Sequence, residues 1–155
     1  NSSNVKSYQI ALGAKQRQEK IYVTKQDDSS SLLKPLLISN IFLGAKAVNE
    51  FNIKIDCGKN FFSEKLVGNT LLKIDVQGYE LEVLKGFSDK LGCFKYIFVE
   101  LSGVELYSGQ PIYTHIINYL NKKGFSLISK TNEFFYNDEF IQADFLFIHK
   151  NQLPQ

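Results

Sequence analysis

Several residue types are scarce or missing in this chain, and each absence excludes a class of protein. Methionine and tryptophan are absent from its 155 residues, which include only 2 cysteines, 2 histidines and 3 prolines. The two cysteines, Cys57 and Cys93, are too few for a disulfide framework. With so few histidines and no C-x-x-C pair, they do not indicate a zinc site either. Both are therefore interpreted as reduced thiols of a cytoplasmic protein.

An excess of one charge and a long apolar run are also missing. The 18 Lys and Arg residues nearly balance the 16 Asp and Glu residues, which leaves a net charge of +2 and no basic surface for nucleic acid. The most apolar stretch, residues 32–48, is interrupted by Lys34 and Pro35, so no segment is predicted to span a membrane. Because no methionine is present, we expect residue 1 not to be the natural first residue.

The residues that are present predict one α/β domain over residues 1–155. Hydrophobic residues make up 44% of the chain and include 13 Phe and 8 Tyr, which is ample for a packed core. No internal repeat and no Pro/Gly-rich linker divides the sequence. Apolar periodicity then predicts strands that alternate with helices and end in an antiparallel hairpin.

The clearest passage is a strand at residues 71–76, apolar on both faces as buried parallel strands are. Gln77 and Gly78 turn the chain into a helix at residues 79–85, which Gly86 is predicted to end. Pro111 is predicted to begin a second helix, which ends at Gly124. Further strands are predicted at residues 5–12, 20–24, 51–55, 95–101, 125–129 and 144–149, with a short helix at 61–66 and a hairpin loop at 132–138.

Two acidic residues occupy equivalent strand ends. Asp75 comes at the end of one buried strand and Glu100 at the end of the next. Ligands of open parallel sheets bind in the crevice beyond the carboxyl ends of the strands, so the two carboxylates are candidates for one site. The alternative is that either acid caps a helix or pairs with a surface lysine. Asp144, which precedes a core strand, is interpreted more simply as the residue that terminates this strand.

Glu80 lies on the apolar face of its predicted helix, where a carboxylate is unfavourable unless it is paired or hydrogen-bonded. The preferred interpretation is structural: the helix macrodipole and free N–H groups of the first turn, or Lys73, stabilise it. If Glu80 instead approaches the crevice, it is a third acid there. No Ser-His-Asp arrangement and no G-x-G-x-x-G loop is present.

Residues 72–86 read LKIDVQGYELEVLKG and closely resemble the KIDVEGxExxVLxG signature of FkbM-type methyltransferases. One departure is Gln77, which stands where that family often has glutamate. Shorter similarities follow the family's order: Ile10-Ala11-Leu12-Gly13 to the "ALG" that ends its third strand, Ser29-Ser30-Ser31-Leu32 to its "SSSL" loop, Phe98-Val99-Glu100 to the next acid-ended strand, Gly124-Phe125 to its "GF" turn, and Ala143-Asp144-Phe145-Leu146-Phe147 to its closing "ADxLF" strand.

The resemblance implies a Rossmann-like class I methyltransferase sheet, mostly parallel, with an antiparallel C-terminal hairpin. It implies S-adenosylmethionine as cofactor, with Ala11, Leu12, Ser30 and Ser31 as cofactor-binding residues. The first similarity falls at the family's third strand, so we expect the N-terminal βα units, about 60 residues or more, to be missing from this chain. Strands that need cover on both faces would then be exposed, and either self-association or an unusual compact rearrangement is expected.

The implied reaction is methyl transfer to a hydroxyl of a small molecule or glycan. A positioned carboxylate is a reasonable general base for a hydroxyl proton, and Asp75 is nominated first and Glu100 second. An effective base needs burial or a neighbouring carboxylate to raise its pKa. The rival hypothesis is a methyltransferase-like domain that binds a ligand or partner without catalysis.

Overall fold

The computed structural model describes residues 4–25, 29–61 and 69–152, apart from the side chains of Leu43 and Gln152. Within these residues, strands and helices alternate, as expected for an α/β protein. The elements are β1 (Ala11–Leu12), β2 (Arg17–Thr24), α1 (Leu37–Leu43), β3 (Ala47–Asp56), β4 (Leu71–Ile74), α2 (Glu80–Phe87), β5 (Tyr96–Ser102), α3 (Tyr113–Lys122), β6 (Phe125–Tyr136) and β7 (Glu139–His149).

The strands form two sheets, with orders β1-β3-β2 and β4-β5-β7-β6. β1 runs parallel to β3 and β4 runs parallel to β5, whereas the other neighbours are antiparallel. The α/β class is confirmed, but the expectation of a mostly parallel sheet is wrong for the described residues. The C-terminal hairpin of β6 and β7 is antiparallel as predicted, because the short turn at Asn137 and Asp138 allows no other direction. The difference lies in two further pairs that are antiparallel, β2 with β3 and β5 with β7. That residues 1–155 form one domain stays a prediction.

The two faces of the four-stranded sheet differ in character. On one face, Ile97, Val99 and Leu101 of β5 lie opposite apolar residues of β7 and join Val83 and Leu84 of α2 in the main core. On the other face, which we call the open face, β5 and β7 carry half-buried residues, among them Phe98, Glu100, Gln142, Asp144 and Leu146. This alternation is the usual pattern of a sheet with one face in the core.

Several predicted boundaries are corrected. The strand predicted at residues 5–12 is reduced to Ala11–Leu12, because only these two residues pair with β3. The hairpin strands continue to Tyr136 and from Glu139, so residues 132–138 are mostly strand. The helix α3 begins at Tyr113 rather than at Pro111. Most of the helix predicted at residues 61–66 lies outside the described residues. α1 was not predicted at all.

Gly86 does not end α2, which continues to Phe87. Its role is close approach: a Cβ atom at position 86 would collide with the backbone carbonyl oxygen of Gly13, directly after β1. The glycine therefore lets α2 lie against the backbone of this short strand. In the described part of the chain, no helix is long and apolar enough to cross a membrane.

Gly86→Ala is expected to lower the free energy of unfolding by about 1–3 kcal/mol, because the new methyl group must push the Gly13 backbone aside. Urea unfolding of both proteins measures this difference. Gly92→Ala is the matched control, since a Cβ atom there would make an ordinary contact with His149 at 3.7 Å. Equal stability of the two variants would contradict the close packing of α2 on Gly13.

Candidate functional site

A cleft of about 450 Å³ lies between β1, the segment of residues 30–32, β4 and α2. Its volume falls within the usual range of small-molecule sites. The cleft is lined by all four residues that the sequence predicts to bind cofactor, Ala11, Leu12, Ser30 and Ser31, together with Asp75. The structure therefore brings together residues that are distant in the sequence, with Ala11 and Asp75 separated by 64 positions. Glu100 is not part of this lining.

Backbone hydrogen bonds hold the serine segment at the cleft. The backbone N–H of Ser31 donates to the carbonyl oxygen of Tyr22 at 3.1 Å, and the N–H of Tyr22 donates back to the carbonyl oxygen of Ser31 at 2.8 Å. The hydroxyl of Ser31, which is only 2% exposed, donates to the backbone oxygen of Gln77 at 2.6 Å. Ser31 therefore connects the cleft to the turn that follows β4.

That turn has an unusual backbone. Gln77 and Gly78 both have positive φ angles, 51° and 95°, a region that L side chains rarely adopt. The side-chain amide of Gln77 donates to Asp75 Oδ1 at 3.0 Å and to Glu100 Oε2 at 3.3 Å. Its amide oxygen accepts a hydrogen bond from the hydroxyl of Tyr107 at 3.2 Å. One amide group thus joins the two predicted acids.

The two acids lie in different surroundings. Asp75 is 46% exposed and makes an ion pair with Lys73 Nζ at 2.8 Å. Lys73 therefore pairs with Asp75, and the suggestion that it stabilises Glu80 is wrong. Glu100 is half-buried, and Gln142 Nε2 donates to its Oε1 at 3.1 Å. Burial raises the pKa of Glu100, and the negative charges of Asp75 and Asp144 raise it further.

Asp144 belongs to this group of residues and does not terminate its strand, because β7 runs through it. It lies directly opposite Glu100 in the pairing of β5 with β7, and Asn132 Nδ2 donates to its Oδ2 at 2.7 Å. Gln142 and Asn132 were not predicted from the sequence as site residues. Gln142 and Asp144 are polar residues two positions apart in an otherwise apolar strand, and that alternation was the signal that could have placed them beside Glu100. Within the described ranges, no three His, Cys, Asp or Glu side chains are arranged to hold a metal ion.

Glu80 is buried at the start of α2, with 3% of its surface exposed. Its Oε1 accepts a hydrogen bond from the N–H of Gly78 at 2.8 Å, whereas Oε2 has no hydrogen-bond partner among the described residues. Burial raises the pKa of Glu80 to about 7, and the nearby carboxylates of Glu100 and Asp75 act in the same direction. The bond to Gly78 fits the structural interpretation, since it holds the turn that positions Gln77.

The raised pKa of Glu80 predicts a specific pH dependence of stability. Between its ordinary value of 4.5 and about 7, this carboxyl binds a proton more readily in the folded chain than in the unfolded chain. Its contribution to the free energy of unfolding therefore falls as the pH rises through that window. Glu80→Gln should remove this part of the decrease in the free energy of unfolding, because the amide does not titrate.

Urea unfolding at about pH 5 and about pH 8 tests this expectation. The matched control is Glu82→Gln on the same helix, whose carboxylate pairs with Lys85 at 2.7 Å. The control should keep the pH dependence of the unmodified protein. If Glu80→Gln kept it too, Glu80 would not be the titrating group.

One of three comparisons with known proteins gives a match. The family model described as Methyltransferase FkbM domain matches residues 2–127, a range that includes β1, the serine segment, the Gln77 turn and Glu100. Neither the curated proteins nor the solved structures include a match. Since the family model covers most of the chain, this protein belongs to the FkbM methyltransferase family.

Proposed function

We propose that this domain transfers the methyl group of S-adenosylmethionine to a hydroxyl group of a small molecule or glycan. Membership of a methyltransferase family supports methyl transfer. The observation that carries the rest is the connection between the cleft and the acids: Asp75 lines the cleft and shares the Gln77 amide with Glu100. A cofactor subsite and a proton acceptor are thus adjacent.

The cleft suits S-adenosylmethionine. Its walls are mostly apolar, with Ile10, Leu72 and Val76 among them, and they offer cover for an adenine ring. Ala11, Leu12, Ser30 and Ser31 would hold the cofactor, and the carboxylate of Asp75 favours a positive charge at that end. When bound, S-adenosylmethionine supplies an electrophilic methyl group on a positively charged sulfur.

Glu100 is the better placed of the two acids to take the hydroxyl proton. Its pKa is raised by burial and by neighbouring carboxylates, which brings it nearer to that of a useful base. Gln77 and Gln142 each donate one hydrogen bond to a different oxygen of Glu100, so the carboxylate is fixed while lone pairs remain for an acceptor hydroxyl. This assignment reverses the ranking that the sequence favoured.

Asp75 then has an orienting role. It is more exposed than Glu100 and carries the charge of Lys73 beside it, so it is better suited to hold ligand groups in place than to accept a proton. Fixing two reacting groups at the correct geometry supplies a large part of the acceleration in such displacements. The Gln77 amide keeps the separation of Asp75 and Glu100 constant.

Ala11→Leu tests the cofactor cleft. The larger side chain should fill space beside Leu12 and weaken S-adenosylmethionine binding by about tenfold or more, as measured by titration calorimetry. Ala47→Leu, on exposed strand β3, is the matched control and should bind like the unmodified protein. Equal binding by both variants, or no binding by the unmodified protein at its natural length, would contradict the proposed cleft.

Glu100→Gln tests the proton acceptor. It keeps the shape of the side chain and removes its basicity, so methyl transfer should fall by about 100-fold or more while cofactor affinity changes little. Transfer of tritiated methyl groups to an extract of the source cells measures the rate. Glu139→Gln, at the exposed start of β7, is the control. Cofactor binding with no transfer by the unmodified protein would favour the rival, a non-catalytic binding domain.

A further inference from the structure

A polar strip crosses the open face of the four-stranded sheet, and its residues come from all four strands. It consists of Lys73 and Asp75 at β4, Glu100 on β5, Gln142 and Asp144 on β7, and Asn132 on β6. We propose that this strip is the acceptor subsite and that it selects polyhydroxylated acceptors without anionic groups, with amino-sugar oligosaccharides preferred. This inference rests on the proposed function, since it names the acceptor class for the same site.

The strip is continuous. Asp75 and Glu100 share the Gln77 amide, Gln142 donates to Glu100, and Asp144 lies opposite Glu100 and accepts from Asn132. Strands in a sheet are about 4.8 Å apart, so a strip across four strands extends roughly 14 Å. That length suits an oligosaccharide better than a single small hydroxyl compound.

The charge of the strip is negative, in contrast to the net charge of +2 of the chain. Three carboxylates, those of Asp75, Glu100 and Asp144, stand beside one cation, Lys73, which is already paired with Asp75. Lys130 of β6 lies opposite the buried Phe145, over the ring of Phe140 at 3.8 Å, and pairs with Glu133. A phosphate or uronate group on the strip would meet like charges, whereas an ammonium group would meet opposite ones.

The hydrogen-bonding groups of the strip suit hydroxyls. Ionised carboxylates only accept hydrogen bonds, and the side-chain amides of Gln142 and Asn132 both donate and accept. A sugar hydroxyl can donate to one group and accept from the other. Adjacent hydroxyls on a sugar ring therefore match alternating carboxylate and amide groups along the strip.

Aromatic residues border the strip on the same face. Phe98 is two positions before Glu100 on β5 and is half-buried. Phe134 lies opposite Gln142 in the pairing of β6 with β7 and is 39% exposed. An aromatic surface beside polar groups offers cover for the C–H faces of a sugar ring, as in binding sites that combine apolar walls with few polar groups.

Three trisaccharides of similar size and different charge test the inference: the cationic trimer of glucosamine, neutral cellotriose and anionic trigalacturonic acid. Calorimetry on the full protein should show the glucosamine trimer binding about tenfold more tightly than cellotriose, and no binding of trigalacturonic acid up to about 10 mM. Added salt should weaken binding of the cationic trimer most.

Asp144→Asn should weaken binding of the glucosamine trimer about fivefold and leave cellotriose almost unchanged, because it removes a charge and keeps a hydrogen-bonding group. The control is Glu139→Gln, which removes an exposed carboxylate from the same hairpin outside the strip and breaks none of the ion pairs described above. Binding of trigalacturonic acid as tight as that of the other two would overturn the inference. So would the absence of binding by all three at about 10 mM, or equal effects of the two variants.

The proposed function and this inference can fail separately. Charge-selective binding of the glucosamine trimer by a protein that neither binds S-adenosylmethionine nor transfers methyl groups would overturn the proposed function alone. Methyl transfer to a uronic acid acceptor, with the predicted cofactor binding intact, would overturn the inference alone.

Discussion

The conformation of one turn, at Gln77 and Gly78, connects the cleft, the two acids and the start of α2. A turn with two successive positive φ angles is unfavourable when one of its residues has a side chain, so it persists only where its surroundings hold it. Here the Ser31 hydroxyl donates to the carbonyl oxygen of Gln77, and the Gly78 N–H donates to the carboxylate of Glu80. The hydroxyl of Tyr107 donates to the amide oxygen of Gln77. Together with the pairing of β4 and β5, these supports hold the Gln77 amide between Asp75 and Glu100.

The same turn explains why a buried carboxylate is tolerated in the core. Glu80 has an unpaired oxygen and a raised pKa, and both are unfavourable for a folded chain near neutral pH. Its one good hydrogen bond is to the turn beside the acids. The buried carboxylate destabilises the start of α2, but its hydrogen bond fixes the polar groups at the end of β4. Local destabilisation of this kind is common at functional sites.

Part of the candidate site could be predicted from the sequence, and part depends on contacts between distant residues. The sequence placed Asp75 and Glu100 at the ends of two apolar strands and so predicted two acids at one sheet edge. β4 and β5 are indeed parallel neighbours, although β5 continues past Glu100 to Ser102. The serine segment was placed at the cleft only through resemblance to a family. The role of Gln77 depends on contacts with residues as distant as Tyr107, which no local pattern contains. Gly86 was misinterpreted because a glycine at a helix end and one beside another backbone look alike in sequence.

The hydroxyl of Ser31 belongs to the cleft wall and to the support of the turn at once. Any ligand that draws this hydroxyl toward itself competes with the Gln77 carbonyl oxygen, and any contact that tightens the turn strengthens the opposing bond. A ligand that competes for this hydroxyl would therefore be linked to the conformation of the turn, and such a linkage would be reciprocal. In the proposed reaction, the cofactor site and the acceptor site would influence each other through the hydroxyl proton of Ser31.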